Sequence, residues 1–413
     1  MTPPAPSAPA WWRTIGPEAW RALVAAKLGW MLDAMDVMLY AFALTAIQDE
    51  FSLTSAQSGA LASVTLVASA VGGALCGVLA DRYGRARMLI VSILVYSLFT
   101  GATAFATSVA TLALARTLVG LGLGAEWSAG SVLVAETWPA EHRGKAIGIM
   151  QSGWAIGYIL AAVLAALVLP RFGWRVLFLA GIAPALLTVW IRRRVPEPPL
   201  WREARAAPGG SGLGALLRPP LRARMLAATS VTTALLFAYW GLFTWIPAFL
   251  ASPVERGGAG LGVVRSLGFI VPMQLGAFLG YILFGLLSDR LGRRPVFLVF
   301  VLASAALVPA YGLLARHGIA LFVLGPLVGF FGHGYFSLFG AMLAELFPSR
   351  VRATAQGICY NTGRALSALA PFTIGAVADR RGLGVALACS AAFYLLGAVL
   401  ILLLPETRGR ALE

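Results

Sequence analysis

Apolar runs of about twenty residues recur along this chain, the length at which a helix crosses roughly 30 Å of hydrocarbon. No other feature constrains the fold as much. In lipid every backbone N–H and C=O must be paired, which helices achieve within each segment. Twelve spans are predicted, near 20–47, 57–80, 87–107, 109–137, 143–169, 174–195, 223–251, 264–288, 294–315, 318–346, 352–379 and 383–405. Only 12% of the residues are charged, against about 25% in a soluble domain. The expected fold is an all-α membrane protein, embedded in a lipid bilayer. The first run is followed by further spans and reads as a span, not a signal peptide. The Pro/Ala-rich start, MTPPAPSAPA, is expected to be disordered.

A net charge of +15 would suit a nucleic-acid partner, but its placement argues against one. The basic residues fall in short segments between apolar runs. With the N-terminus inside, 23 of the 32 Lys and Arg lie on the side of the termini and 7 on the other. That asymmetry puts both termini in the cytoplasm, with no nucleic acid as partner. The two left over, Arg116 and Arg364, lie deep in spans. Cys76, Cys359 and Cys389 have neither metal-ligand spacing nor a disulfide pattern, so no metal is expected. No cofactor motif and no nucleophile–base set stands out, so no enzyme is expected. GLGLGAE (120–126) lies in an apolar span and follows no strand, so close helix packing is expected there in place of a nucleotide.

The chain is duplicated. GVLADRYGRARML (77–89) matches GLLSDRLGRRPVF (285–297) at an offset of 208. AETWPAEHRGKAIGI (135–149) matches AELFPSRVRATAQGI (344–358) at 209, and Pro196-Glu197 matches Pro405-Glu406 at 209. Six spans form each repeat, an even number, so both halves share one orientation, with substrate expected between them near the midplane. The expected organisation is a tail (1–19), a first bundle (20–195), a linker (196–222), a second bundle (223–405) and a short tail (406–413).

The paired G-x-L-x-D-R-x-G-R loops after spans 2 and 8 resemble the signature of the major facilitator superfamily. RTLVGLGLG (116–124) in span 4 resembles its R-x-x-x-G-x-G-x-G motif, and PEPPLW and PETRG its sugar and metabolite branch. LDAMDVMLY in span 1, the stretch from GAEWSAG to AIGY across spans 4 and 5, and RATAQGICYNTGRALSALAP in span 11 resemble the bacterial sialate, lactate and aromatic-acid proton symporters. The resemblance covers nearly the whole chain. It implies the major facilitator fold, with spans 1 and 4 at a central cavity and Asp36 and Arg116 as proton-coupling residues.

The chemistry of the residues leads the same way. An ionisable side chain at mid-span costs about 2.5–3.5 kcal/mol on insertion scales and usually marks a pathway. At 1.5 Å per residue, Asp36 lies about 24 Å and Arg116 about 31 Å from the cytoplasmic ends of their helices, and Asp33 and Glu126 about 20 and 16 Å. An aspartate beside an arginine stays charged; once the arginine withdraws, it takes a proton. Asp36 is the expected proton carrier and Arg116 its modulator, while Asp33 and Glu126 could share a proton. A purely structural ion-pair network is the alternative for both pairs. Arg364, near mid-span with no acid at its depth in the second half, is expected to fork onto a substrate carboxylate. Pairing with a first-half acid across the cavity remains open. Asn361, Tyr360, Gln274, Tyr239, Trp240, Gln151, Trp154, Tyr158 and His333 are the candidate pocket residues. Packing is the alternative for each, above all for His333. Asp81 and Asp289 are expected to sit at helix N-termini of the opposite half, near 350–354 and 143–146, forming a cytoplasmic latch with Arg85, Glu136, Arg143, Arg293, Glu345 and Arg352.

The function expected is proton-coupled symport of a small organic monocarboxylate, in the bacterial inner membrane and as a monomer. A proton-driven efflux antiporter is the first alternative, but GWAIGYILAA in span 5 lacks the proline of the usual efflux motif. A transporter-fold sensor is the second, and no long cytoplasmic domain favours it.

Overall fold

Helices follow wherever an apolar run must pair its own backbone. The computed structural model describes residues 11–410 except 54, 207–212, 252–253, 255–256 and 315–317. The 1–10 tail, and Arg256 and Arg316 of the charge count, lie outside the described residues. Among the described residues there is no strand. Spans 1 to 4 are Pro17–Phe51, Ser55–Tyr83, Arg85–Thr103 and Val109–Thr137. Spans 5 and 6 are Ala140–Leu169 and Arg171–Ile191. Spans 7 to 9 are Leu221–Phe243, Gly262–Leu291 and Arg293–Leu313. Span 10 is Gly318–Leu346 and span 12 is Leu383–Leu403. Span 11 runs as Arg352–Ser367 and then Ala370–Arg381. Ten of these helices are long and apolar enough to cross a membrane. Spans 1 and 11 carry Lys27, Asp33, Asp36, Arg352 and Arg364, which lower their hydropathy.

The two signature loops fold alike. Gly84 and Gly292 turn the chain at φ +116° and +107°, a region only glycine enters freely. Each glycine precedes a helix whose first N–H groups need acceptors. Glu197 accepts from the N–H groups of Arg85, Ala86 and Arg87 at 2.7, 3.2 and 3.1 Å. Glu406, its repeat partner, accepts from those of Arg293 and Arg294 at 2.9 and 3.0 Å. The linker is not all loop: Pro199–Ala206 is helical, and Trp201 donates its indole N–H to the Asp81 carbonyl at 2.9 Å.

The largest apolar cluster draws on both halves, Trp127, Met150 and Trp154 meeting Tyr239, Phe336 and Tyr360. Another cluster, around Met35, Leu39, Tyr40 and Phe178, holds first-half residues only. The two halves therefore join between the linker face and the middle of the bundle. Gly124 lets spans 2 and 4 touch there, since a side chain at that position would overlap the Ser69 carbonyl.

Candidate functional site

At the linker face the duplicated charges interlock. Asp81 accepts the Thr354 backbone N–H at 2.8 Å and its hydroxyl as well, and pairs with Arg85 at 3.0 Å. Asp289 accepts the N–H groups of Gly144 and Lys145 at 3.0 and 2.9 Å and pairs with Arg293 at 2.6 Å. Both carboxylates thus sit on the N-terminal turn of a helix from the other half, where the helix dipole favours negative charge. Glu136 binds Arg85 at 3.1 Å within its half and Arg352 at 2.8 Å across the interface. Glu345 repeats this with Arg293 at 3.0 Å and Arg143 at 2.9 Å. The remaining donors are also met: Arg143 reaches the Ala135 carbonyl at 3.1 Å and Arg352 the Ala344 carbonyl at 2.9 Å. All eight side chains of the expected latch are therefore buried at this face, in two clusters of four that each bridge the halves.

The mid-span charges are held more loosely. Asp36 and Arg116 are fully buried, and Asp36 Oδ2 lies 3.8 Å from Arg116 Nη1, too far for a hydrogen bond. The other Asp36 oxygen accepts from the Thr100 hydroxyl of span 3. Arg116 rests on the Tyr40 ring, 4.8 Å from its centroid, and its Nε and Nη1 have no hydrogen-bond partner among the described residues. Asp33 and Glu126 are also buried, and both oxygens of Glu126 and Oδ1 of Asp33 are unpartnered among the described residues. The two acids feel each other's charge and that of Arg364, so Arg364 faces first-half acids across the interface without an ion pair within 4.0 Å among the described residues. Its Nη1 reaches Ser69 Oγ of span 2 at 3.4 Å, its guanidinium lies 5.2 Å from the Tyr360 ring, and its Nε has no partner among the described residues.

Arg364 lines a small cavity of about 20 Å³ between the halves, with Gln151, Trp154, Tyr239, Trp240 and Tyr360. Trp30, Leu236, Tyr281 and Phe336 complete the wall. None of these last four stands out in the sequence, although Trp30 lies one helical turn from Asp33, the spacing of a shared face. Thr100 and Ser69, which bind Asp36 and Arg364, carry no sequence signal at all. Gln151 is oriented: its oxygen accepts the Trp127 indole N–H at 3.2 Å, and Trp127 stacks on Tyr360 across the interface at 3.7 Å. The Trp30 and Trp240 indole N–H groups have no partner among the described residues.

Four of the expected pocket residues are not in the wall. Asn361 bonds the Gly357 carbonyl of its own helix at 2.9 Å and packs against Gly73. His333 holds the Gly329 carbonyl at 3.0 Å and lies behind Tyr239, edge to face at 5.2 Å. Tyr158 packs edge-on against Phe42 at 6.1 Å. Gln274 is buried with its side-chain oxygen unpartnered among the described residues, yet it does not reach the cavity. Of ten expected pocket positions, six therefore face the space between the halves. No group of acids, histidines and cysteines able to hold a metal occurs among the described residues.

The sequence profile of the Major Facilitator Superfamily matches residues 28–271 and 258–412. This chain belongs to that superfamily. It is 39% identical to the "Probable 4-methylmuconolactone transporter" of Cupriavidus pinatubonensis, over 98% of this chain and 94% of that protein. It is 32% identical to the "Cis,cis-muconate transport protein" of Acinetobacter baylyi, over 95% and 96%. It is 30% identical to the sialic acid transporter NanX of Escherichia coli, over 92% of each. In three dimensions it superposes on the proton:xylose symporter XylE with a TM-score of 0.77 at 19% identity, covering 96% of this chain and 98% of that one. The fold is thus that of a multi-pass membrane transporter, and the proteins named here as similar in sequence are carriers of organic acids.

Proposed function

We propose that this protein imports a small organic monocarboxylate together with a proton, by alternating access across a bacterial inner membrane, with its linker face in the cytoplasm. One observation carries the reading: a buried guanidinium whose Nε has no hydrogen-bond partner among the described residues lines the cavity between the halves. A carboxylate would fit that fork and complete it. The wall around Arg364 is mostly aromatic, with a few convergent donors, which suits a flat, compact acid. The similarity to muconate and sialate carriers supports an organic acid as substrate, without favouring one carboxylate over two.

Proton coupling is supported by charge balance. Asp33, Asp36 and Glu126 face two guanidinium groups, so one proton leaves the empty centre neutral. A bound anion then adds a third negative charge against two positive ones and calls for another proton. In a low-dielectric interior an uncompensated charge is costly, so anion and proton enter together. Asp36 is the expected carrier. Its 3.8 Å separation from Arg116 leaves room for the pair to tighten or part as the halves rock. The linker-face network would close the cytoplasmic side while the cavity loads from outside.

The test uses purified protein in liposomes with a pH dye inside, and protein-free liposomes as control. Lactate, benzoate, shikimate and N-acetylneuraminate are added in turn to wild type and Asp36→Asn. Protein-dependent acidification by one acid, lost in Asp36→Asn, is the expected result. Exchange of labelled acid with no proton movement in wild type would reduce the protein to a uniporter or exchanger.

A further inference from the structure

Lys27 sits apart from every charge described above. It lies on span 1, one turn before Trp30, about 4.5 Å along the axis at 1.5 Å per residue. Trp30 lines the cavity and packs on Trp154 with ring centroids 4.8 Å apart, so these two rings form a floor. Lys27 is on the linker side of that floor. It is half-buried, and its Nζ donates to Ser152 Oγ at 3.1 Å, where span 5 breaks between Gln151 and Gly153. Its ammonium also lies 5.5 Å from the centroid of Phe278, on span 8 of the other half. No carboxylate pairs with it among the described residues. A hydroxyl and an aromatic face solvate the charge without neutralising it.

We propose that Lys27 is a second anion-binding site, a staging point that receives the substrate carboxylate after it leaves Arg364. The inference rests on the reading of this protein as an organic-anion carrier. Phe278 shares its helix with Asp289, which grips the start of span 5. When those contacts open, Phe278 moves away with the second half, and the ammonium is left facing the widened path below the Trp30–Trp154 floor. Ser152 stays with the first half and supplies a hydroxyl beside it. The two sites differ in kind. Arg364 offers a planar fork that holds a carboxylate in two places, whereas a lysine is a compact, strongly hydrated point charge. A firm site followed by a weaker one favours release, as conduction requires binding that is loose enough to leave.

The test compares right-side-out with inside-out membrane vesicles and uses whichever of the four acids wild type carries fastest. Half-saturation is measured from each face for wild type, Lys27→Gln and Lys27→Arg. Lys27→Gln is expected to raise the cytoplasmic-face value about tenfold, the worth of one charge-assisted hydrogen bond, and to leave the outer-face value within about twofold. Lys27→Arg should remain near wild type on both faces. The unchanged outer-face value also reports that the variant is folded. An equal change on both faces, or none on either, overturns the staging site while the transport reading stands. Failure of wild type to carry any of the four acids overturns both.

Discussion

The linker-face network and the mid-span cluster are both buried and both charged, yet they are built on opposite principles. At the linker face each of four carboxylates has two or more partners, with contacts near 3 Å that cross between the halves. In the middle, one pair stands at 3.8 Å and several oxygens and guanidinium nitrogens have no partner among the described residues. A network this closely paired gains little from new partners and therefore favours the closed arrangement. An unmet one is costly alone and is completed by whatever small ion or proton enters. The same residue types thus serve as a clasp in one place and as a receptor in the other.

The largest effect that separates the two regions should come from Glu136→Gln. It leaves Arg85 and Arg352 buried against each other, a loss of about 3–5 kcal/mol for a broken buried pair. A clear drop in the thermal unfolding midpoint is expected. Asp33→Asn, which removes a charge with an unmet oxygen, should lower it little or raise it. Equal losses in the two variants would erase the contrast. Next comes Arg364→Gln, which should weaken anion binding about a hundredfold, read as the half-saturation of uptake, with little change in the unfolding midpoint. Ser69→Ala removes one hydrogen bond from that guanidinium and should shift half-saturation about fivefold or less, on the order of 1 kcal/mol. Loss of all uptake in Ser69→Ala would show that Arg364 is held by Ser69 alone.

The smallest effect concerns pH at the edge of the clasp. Burial alone would push the Glu406 carboxyl up, but the backbone N–H groups of Arg294, Arg293, Arg408 and Thr407 outweigh it and hold the carboxyl below its ordinary value of 4.5. Its folded pKa is lower than its unfolded one, so its contribution to stability is present above the ordinary value and is lost as pH falls through the depressed one. Unfolding midpoints of wild type and Glu406→Gln should differ at neutral pH and converge in acid below that range. A gap that persists in acid would show that the effect is steric.

Much of this was legible in the chain. The repeat offset of 208–209 pairs Asp81 with Asp289, Glu136 with Glu345 and Arg143 with Arg352 before any coordinates, because a duplicated sequence folds twice into the same local shape. Helix N-termini near 143 and 352 then offer Asp289 and Asp81 backbone donors from the other half. The pocket was legible in depth but not in direction. Gln274 and Trp30 are both buried polar-tipped side chains in apolar helices, and only Trp30 reaches the cavity. In a soluble helix the polar face would show which side looks inward. Here lipid and core are equally apolar, so that signal is missing.

By itself, then, the sequence determined what must be local: helices long enough to satisfy their own backbone in lipid, the doubled six-span plan, and the depth of each charge along its helix at a set rise per residue. The tertiary structure alone decided how each helix is rotated and how near its neighbour stands. That is why Thr100 bonds Asp36, why Arg364 faces Ser69 and the first-half acids, and why Lys27 meets a ring from the other half. Those contacts depend on packing between segments far apart in the chain, and the pattern of residues within one helix does not encode them.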